Sequence, residues 1–288
     1  MQEVGRFAPS PTGLLHFGSI VAAAGSYLIS KSSKAKWLLR MEDLDEARTE
    51  PGATSGIIRT IEALGMEWDG EIVYQSERKA LYREALASLQ GVTFPCSCSR
   101  REIDGVYSGK CRNGFKGEAR SVRVRVRDET ISFRDAIQGE FSQNLEKEVG
   151  DFVLFRADGF FSYQLAVVVD DREQGITRVV RGADLLDSTP RQIHLQRLLG
   201  FYTPDYAHLP LAVNDSGEKL SKQNLAEPVK PGIPVLFRAL EFLGQDPPED
   251  LLDSDIPSFW KWALEHWEIG KIPKTCRKKY DEYRIDRP

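Results

Sequence analysis

Apolar and polar positions along the first ninety residues switch between a strand period and a helix period. Val4–Ala8 is an apolar run of strand length, and Ser19–Ser32 carries apolar residues at helical spacing behind Gly18, with Ser19 a suitable N-cap. Lys36–Met41 predicts a second strand that runs into acidic residues, and Thr54–Leu64 and Glu77–Leu89 predict amphipathic helices. Strands alternating with helices point to an α/β fold with a parallel sheet. Near Gly91 the pattern changes, and cysteine, glycine and basic residues dominate to about Gly117. Ser121–Arg127 then alternates strictly, which predicts a strand with Val122, Val124 and Val126 on an apolar back and Arg123, Arg125 and Arg127 on the front.

The α/β pattern resumes at Asp151. Leu165–Val169 is a continuous apolar run of the kind found in fully buried strands, and Thr177–Arg181 predicts another strand. Ser188-Thr189-Pro190 opens a helix with proline near its first position, and Gly200 closes it. Leu211–Val213 and a turn at Asn214–Gly217 lead into Lys219; beyond Pro228 the pattern is helical and ends in a basic, proline-interrupted tail. The expected organisation is one α/β unit from residues 1–90 and 151–200, an insertion over 91–150, and a loop with a small helical unit over 201–288.

A length of 288 residues fits this division, at roughly 100–200 residues per domain. No apolar run approaches the roughly 18 residues of a membrane helix, and the first residues carry neither a basic stretch nor an apolar run of the secretory type. A cytoplasmic location, no membrane partner and a monomer are the expectations. Net charge is −4, but Cys96–Asp128 carries +5 and Lys271–Pro288 carries +4, leaving −13 on the remainder. Local basic surfaces on an acidic body suit a polyanion bound at defined places. Three of the four cysteines fall within sixteen residues, which reads as metal binding rather than a disulfide framework.

The candidate chemistry sits in two short segments. His16-Phe17-Gly18-Ser19 lies where a helix begins; such a terminus offers unpaired N–H groups and a positive dipole end to phosphate, and His16 can donate to phosphate oxygens as charge builds. Lys219-Leu220-Ser221-Lys222-Gln223 places two lysines three apart after a turn, able to reach one anion as point charges. Cys96, Cys98 and Cys111 can supply three thiolates to a tetrahedral Zn²⁺, with the fourth position open and no histidine nearby. Tyr107 would be an unusual ligand, because a free phenol has a pKa near 10 that a bound dication would have to lower.

Together the two segments resemble the signatures of the class I aminoacyl-tRNA synthetases, in the glutamyl branch. The likeness extends over Arg6–Ser19, Arg40–Asp45, Tyr163–Asp171 and Arg181–Pro190, about residues 3–225 in all. It implies a Rossmann-like parallel sheet with a zinc-bearing insertion. It also implies ATP, with Mg²⁺, bound by His16, Gly18, Ser19, Lys219 and Lys222, and L-glutamate bound by Arg6, Ala8, Ser10, Glu42, Tyr163 and Arg181. Two departures stand out: Ser19 replaces the final histidine of the first signature, and Val167 replaces an asparagine common four residues after the tyrosine. Only about 60 residues follow the lysine segment, too few for the helical region that reads the anticodon in tRNA-charging members. The likeness to short members of the branch implies glutamate transfer to queuosine, the first anticodon base of tRNA(Asp). It also implies one structural zinc per chain, held by Cys96, Cys98, Tyr107 and Cys111, and Arg123, Arg125 and Arg127 stand as candidate tRNA contacts. A minimal tRNA-charging enzyme, a small-molecule nucleotidyltransferase and a non-catalytic RNA-binding relative remain the alternatives.

Overall fold

The computed structural model describes residues 2–103, 105–220 and 228–280, so Lys222 lies outside the described residues. The chain begins β1 (Val4–Phe7), α1 (Phe17–Ser32), β2 (Lys36–Met41), α2 (Ala53–Ala63), β3 (Val73–Tyr74) and α3 (Lys79–Ser88). There follow β4 (Thr93–Cys96), β5 (Ser121–Val124), β6 (Thr130–Asp135), β7 (Gly139–Asn144), the single turn α4 (Leu145–Glu148) and β8 (Phe152–Phe155). The remainder is α5 (Tyr163–Glu173), β9 (Arg178–Gly182), α6 (Thr189–Leu199), β10 (Asp205–Leu209), β11 (Leu211–Val213), α7 (Ile233–Phe242), α8 (Ile256–Glu265) and β12 (Arg277–Lys279).

The parallel sheet has two halves that meet at β1. On one side β1, β2 and β3 pair in parallel; on the other β9, β10 and β6 do so, with β7 antiparallel at the edge. Strands β1 and β9 lie side by side, and the Thr177 N–H donates to the Val4 carbonyl at 2.9 Å just below β9. Helix α1 covers this junction. Its closeness depends on glycine: a Cβ at Gly5 would lie 2.2 Å from Ser30 Oγ, and one at Gly25 would lie 2.6 Å from a Leu209 methyl. Below α1 a core of Ile20, Leu28, Trp37, Leu39 and Ile57 is shared with Leu240 and Phe259 of α7 and α8. The Trp260 indole N–H donates to the Leu64 carbonyl at 2.7 Å and ties α8 to the end of α2.

Three sequence expectations are corrected. Leu165–Val169 is helical, within α5, and not a strand. Every residue from Leu165 to Asp171 is buried, so an all-apolar stretch results whichever period the backbone takes; Ser162 Oγ, accepting the Leu165 N–H at 3.4 Å, starts the helix. Helix α1 begins at Phe17 with His16 as its cap, whose ring nitrogen accepts the Ser19 N–H at 3.3 Å; Ser19 is inside the first turn. The arginine front of Ser121–Arg127 forms but is largely covered. Val124 and Val126 keep the apolar back in the core, but the segment carrying Tyr107 closes over the opposite face and buries Arg123. Its guanidinium lies 4.1 Å above the Tyr107 ring and donates to the Asp151 carbonyl at 2.7 Å, while Arg125 donates to the Arg112 carbonyl at 2.7 Å. Arg127 alone of the three is exposed.

The sheets also run across the expected limits of the insertion. β4, β5 and β8 form a separate antiparallel sheet that includes Phe152–Phe155, whereas β6 joins the main sheet. The basic tail contributes β12, paired in parallel with β11, and Tyr280 beyond it stacks on Phe17 at 3.7 Å between ring centres. No helix among the described residues is long and apolar enough to cross a membrane.

Leu39 lies on β2 between two partner strands and is fully buried. Leu39→Ala is expected to cost about 2–5 kcal/mol of unfolding free energy. Urea denaturation checks this, and a loss below about 1 kcal/mol would contradict the packing described.

Candidate active site

A cavity of about 600 Å³ opens at the carboxyl ends of β1, β9 and β10. The chain passes from β1 outward to β2 and β3, then returns to β9 on the other side, so the sheet divides at this point. Open parallel sheets bind ligands at such a division, beyond the carboxyl ends of the strands. Arg6, Ala8, Ser10, Glu42, Tyr163 and Arg181 line the cavity together with His16, Gly18, Ser19 and Lys219.

At its inner end, charge is arranged around two consecutive carboxylates of α5. Asp171 accepts from Arg6 Nε at 3.0 Å and Nη2 at 3.4 Å, and pairs with Arg40 at 2.9 Å. Asp170 accepts from Arg78 and the Gln75 amide at 2.7 Å each and from the Tyr82 hydroxyl at 2.8 Å. Burial alone would raise the Asp171 carboxyl, but the guanidiniums of Arg6 and Arg40 outweigh it and hold it below the usual carboxylate range. For Glu42 the balance falls the other way. Burial raises its pKa despite Arg40, 3.5 Å away, and Arg6. A substrate ammonium beside Glu42 would supply the cation that favours its charged form.

Arg6 is thus matched by an anion, whereas Arg181 meets neutral acceptors. Its Nη1 donates to the Tyr163 hydroxyl at 3.2 Å, its Nη2 to Thr189 Oγ1 at 2.8 Å, and its Nε to His208 Nε2 at 3.1 Å. A guanidinium held among neutral groups keeps its charge for a ligand carboxylate, which can meet it on the Nη1 side beside Tyr163.

The outer end carries the two signature segments. Because His16 Nδ1 accepts the Ser19 N–H, the neutral ring bears its proton on Nε2. Gly18 gives that ring room: an added Cβ would stand 3.1 Å from His16 Cε1 and 3.2 Å from Nδ1. Lys219 Nζ reaches Asp184 Oδ2 at 2.5 Å, across the cavity mouth from His16.

The cysteine cluster stands apart, in the antiparallel sheet. The sulfurs of Cys96, Cys98 and Cys111 all lie within 4.8 Å of one another, a group that could hold a metal such as zinc. The Tyr107 oxygen is 3.5 Å from the Cys96 sulfur and accepts the Cys111 N–H at 2.9 Å. Tyr107 itself is fixed by a backbone bridge to Gly150, where φ is +73° and an added Cβ would lie 2.3 Å from the Tyr107 carbonyl oxygen. Three soft donors and one oxygen, with the Arg123 cation over the phenol ring, fit a tetrahedral thiolate-rich site.

Arg40, Asp170, Asp171 and Asp184 lie in stretches that carry the family likeness but have no role assigned from sequence, and His208 and Asp135 lie outside those stretches. Arg40 and the two aspartates carry a weak signal, being charged residues inside apolar runs; His208 and Asp135 carry none, because their roles arise from strand neighbours far away in the chain.

A family model described as the catalytic domain of class I tRNA synthetases (E and Q) matches residues 3–232. A glutamyl-Q tRNA(Asp) synthetase of Aromatoleum aromaticum is 53% identical over 95% of this chain and 91% of its own length. One from Dechloromonas aromatica is 53% identical over 94% and 95%. Among solved structures, a glutamate tRNA ligase from Elizabethkingia meningosepticum in complex with its amino acid superposes with a TM-score of 0.80 at 25% identity, over 98% of this chain and 67% of that one. With its sheet, its paired signature segments and these relatives in agreement, the chain belongs to the class I tRNA synthetases of the glutamate and glutamine branch.

Proposed function

We propose that this enzyme activates L-glutamate with ATP as glutamyl-adenylate and transfers the glutamyl group to queuosine at the first anticodon position of tRNA(Asp). The observation that carries the reading is the single cavity in which Arg181, Tyr163 and Glu42 stand at one end and His16, Gly18 and Lys219 at the other. The names of relatives that match nearly end to end support the acceptor.

The side-chain carboxylate of glutamate meets Arg181, and its ammonium meets Glu42, with Arg6 and the Ala8–Ser10 backbone completing the pocket. The α-carboxylate then attacks the α-phosphorus of ATP, and the bond to the β-phosphate oxygen breaks to release pyrophosphate. His16 Nε2–H and Lys219, with Lys222, stabilise charge on the phosphates as it develops. Lys219 must first exchange Asp184 for phosphate, a small cost because both groups are partly exposed. Mg²⁺ bound with ATP supplies further neutralisation of the phosphates. In transfer, a queuosine hydroxyl attacks the glutamyl carbonyl, the bond to the phosphate oxygen breaks, and AMP leaves. Among the described residues, Glu42, Asp184 and His16 are already assigned to the ammonium, to Lys219 and to phosphate, so the adenylate phosphate takes the hydroxyl proton. Of the three arginines considered for tRNA, Arg127 keeps an exposed guanidinium for a backbone phosphate. A structural Zn²⁺, held by Cys96, Cys98, Cys111 and Tyr107, would pin the antiparallel sheet.

Three outcomes are expected. Radiolabelled glutamate is transferred to tRNA(Asp) containing queuosine and not to tRNA(Asp) lacking it; transfer to tRNA(Glu) instead would replace this reading with that of a charging enzyme. Glu42→Gln raises the KM for glutamate roughly 10- to 150-fold, corresponding to about 1.5–3 kcal/mol for a charged hydrogen bond, as read by ATP–pyrophosphate exchange. Protein purified without chelator contains about one zinc per chain, and Cys98→Ala loses it; elemental analysis that finds no zinc in the unaltered protein refutes the metal assignment.

A further inference from the structure

We propose that His208 and Asp135 are positioning residues for Arg181, fixing the plane in which its guanidinium receives the substrate carboxylate. This rests on the reading of Arg181 as the glutamate-binding cation given above. The three residues come from adjacent parallel strands, with Arg181 on β9, His208 on β10 and Asp135 on β6. Arg181 and His208 are direct register partners, and Asp135 is paired with Tyr206 on the far side of β10. All three are buried, with exposures of 6%, 0% and 2%.

Every proton in the chain of contacts is fixed by chemistry. Arginine has only donors, so the Arg181 Nε–H, 3.1 Å from His208 Nε2, requires a lone pair on that nitrogen. His208 is therefore neutral, with its proton on Nδ1, and donates to Asp135 Oδ2 at 2.6 Å. The other oxygen, Asp135 Oδ1, accepts the backbone N–H groups of Ile137 at 3.0 Å, Gln138 at 2.9 Å and His208 at 3.1 Å. The carboxylate cannot turn without losing these bonds. Thr189 Oγ1, 3.3 Å from His208 Nε2, also takes the Arg181 Nη2–H, so the arginine is held at two points. The ring is enclosed by Tyr206, stacked at 6.2 Å, and Phe133 at 6.4 Å. Burial pushes the imidazole pKa down against the pull of Asp135, which keeps the ring in the neutral form that Arg181 needs.

This geometry makes an unusual demand on Asp135. In Asp135→Asn, the three backbone donors retain the amide oxygen, so the NH₂ group faces His208 Nδ1. The histidine proton must then move to Nε2, where two N–H groups oppose each other and Arg181 is displaced. His208→Leu removes the acceptor outright. His208→Gln retains both functions, since its oxygen can accept from Arg181 and its NH₂ can donate to Asp135.

The test is ATP–pyrophosphate exchange with separate KM values for glutamate and ATP, alongside urea unfolding of each variant. His208→Leu and Asp135→Asn are expected to raise the glutamate KM on the order of 10- to 100-fold, with the ATP KM changed less than about threefold. His208→Gln is expected to stay within about fivefold of the unaltered enzyme. Unchanged glutamate KM in the first two variants, parallel rises for both substrates, or a glutamine variant as defective as the leucine variant would overturn the assignment. Imidazole ¹⁵N NMR gives a readout that needs no activity: Nδ1 protonated in the unaltered protein, Nε2 protonated in Asp135→Asn. The same tautomer in both refutes the relay even if glutamate exchange is absent, an absence that would by itself refute only the functional reading.

Discussion

The pairing of two adjacent buried carboxylates with cations and donors drawn from other elements is the constraint on which the catalytic end of this molecule depends. Asp170 and Asp171 follow one another on α5, and neither can be ionised there without cations supplied from other elements. Asp171 draws in Arg6 of β1 and Arg40 of β2; Asp170 draws in Gln75, Arg78 and Tyr82 from the segment leading into and through α3. Four segments distant in sequence are thereby locked together by charged and polar groups that meet in the interior. Taking away one member of such a set leaves a charge stranded in the interior, at a cost of about 3–5 kcal/mol. The network contributes more to a unique arrangement than to net stability.

That locking also sorts the arginines. Arg6 and Arg40 serve the carboxylates, and so shape the pocket from behind, while Arg181 is left with neutral company and an open charge. The difference between a cation that builds a site and one that binds in it lies in the partners, since the two side chains are chemically identical.

Much of this was legible in the sequence. The strands at Val4, Lys36 and Thr177, and the helices starting at Ser19, Thr54 and Ser188, appeared within a residue or two of their observed limits, helped by the one-sided burial of α2 and by the length of α1, too long for a strand. The run Leu165–Val169 misled for the opposite reason: burial on every side erases the period. The alternation at Arg123–Arg127 gave the two faces of the strand but not the cover: Tyr107 and Phe94, on other segments, close over Arg123 and Arg125. Cavity residues were legible where they fell in signature segments, from Arg6 through His16 to Lys219. His208 and Asp135 were not, since only strand adjacency brings them to Arg181.

The stack of Tyr280 on Phe17 has a bearing on how the molecule is made. Phe17 lies between His16 and Gly18, and β12 just before Tyr280 forms the outer partner of β11, which leads to Lys219. The packing behind His16, Gly18 and β11 is therefore completed by one of the last described segments to be synthesised. Contacts of such long sequence separation close late in folding. On the ribosome, the end of the sheet around α5 and β9 can assemble while Phe17 and β11 still lack these partners, which arrive only when residues near 280 have emerged.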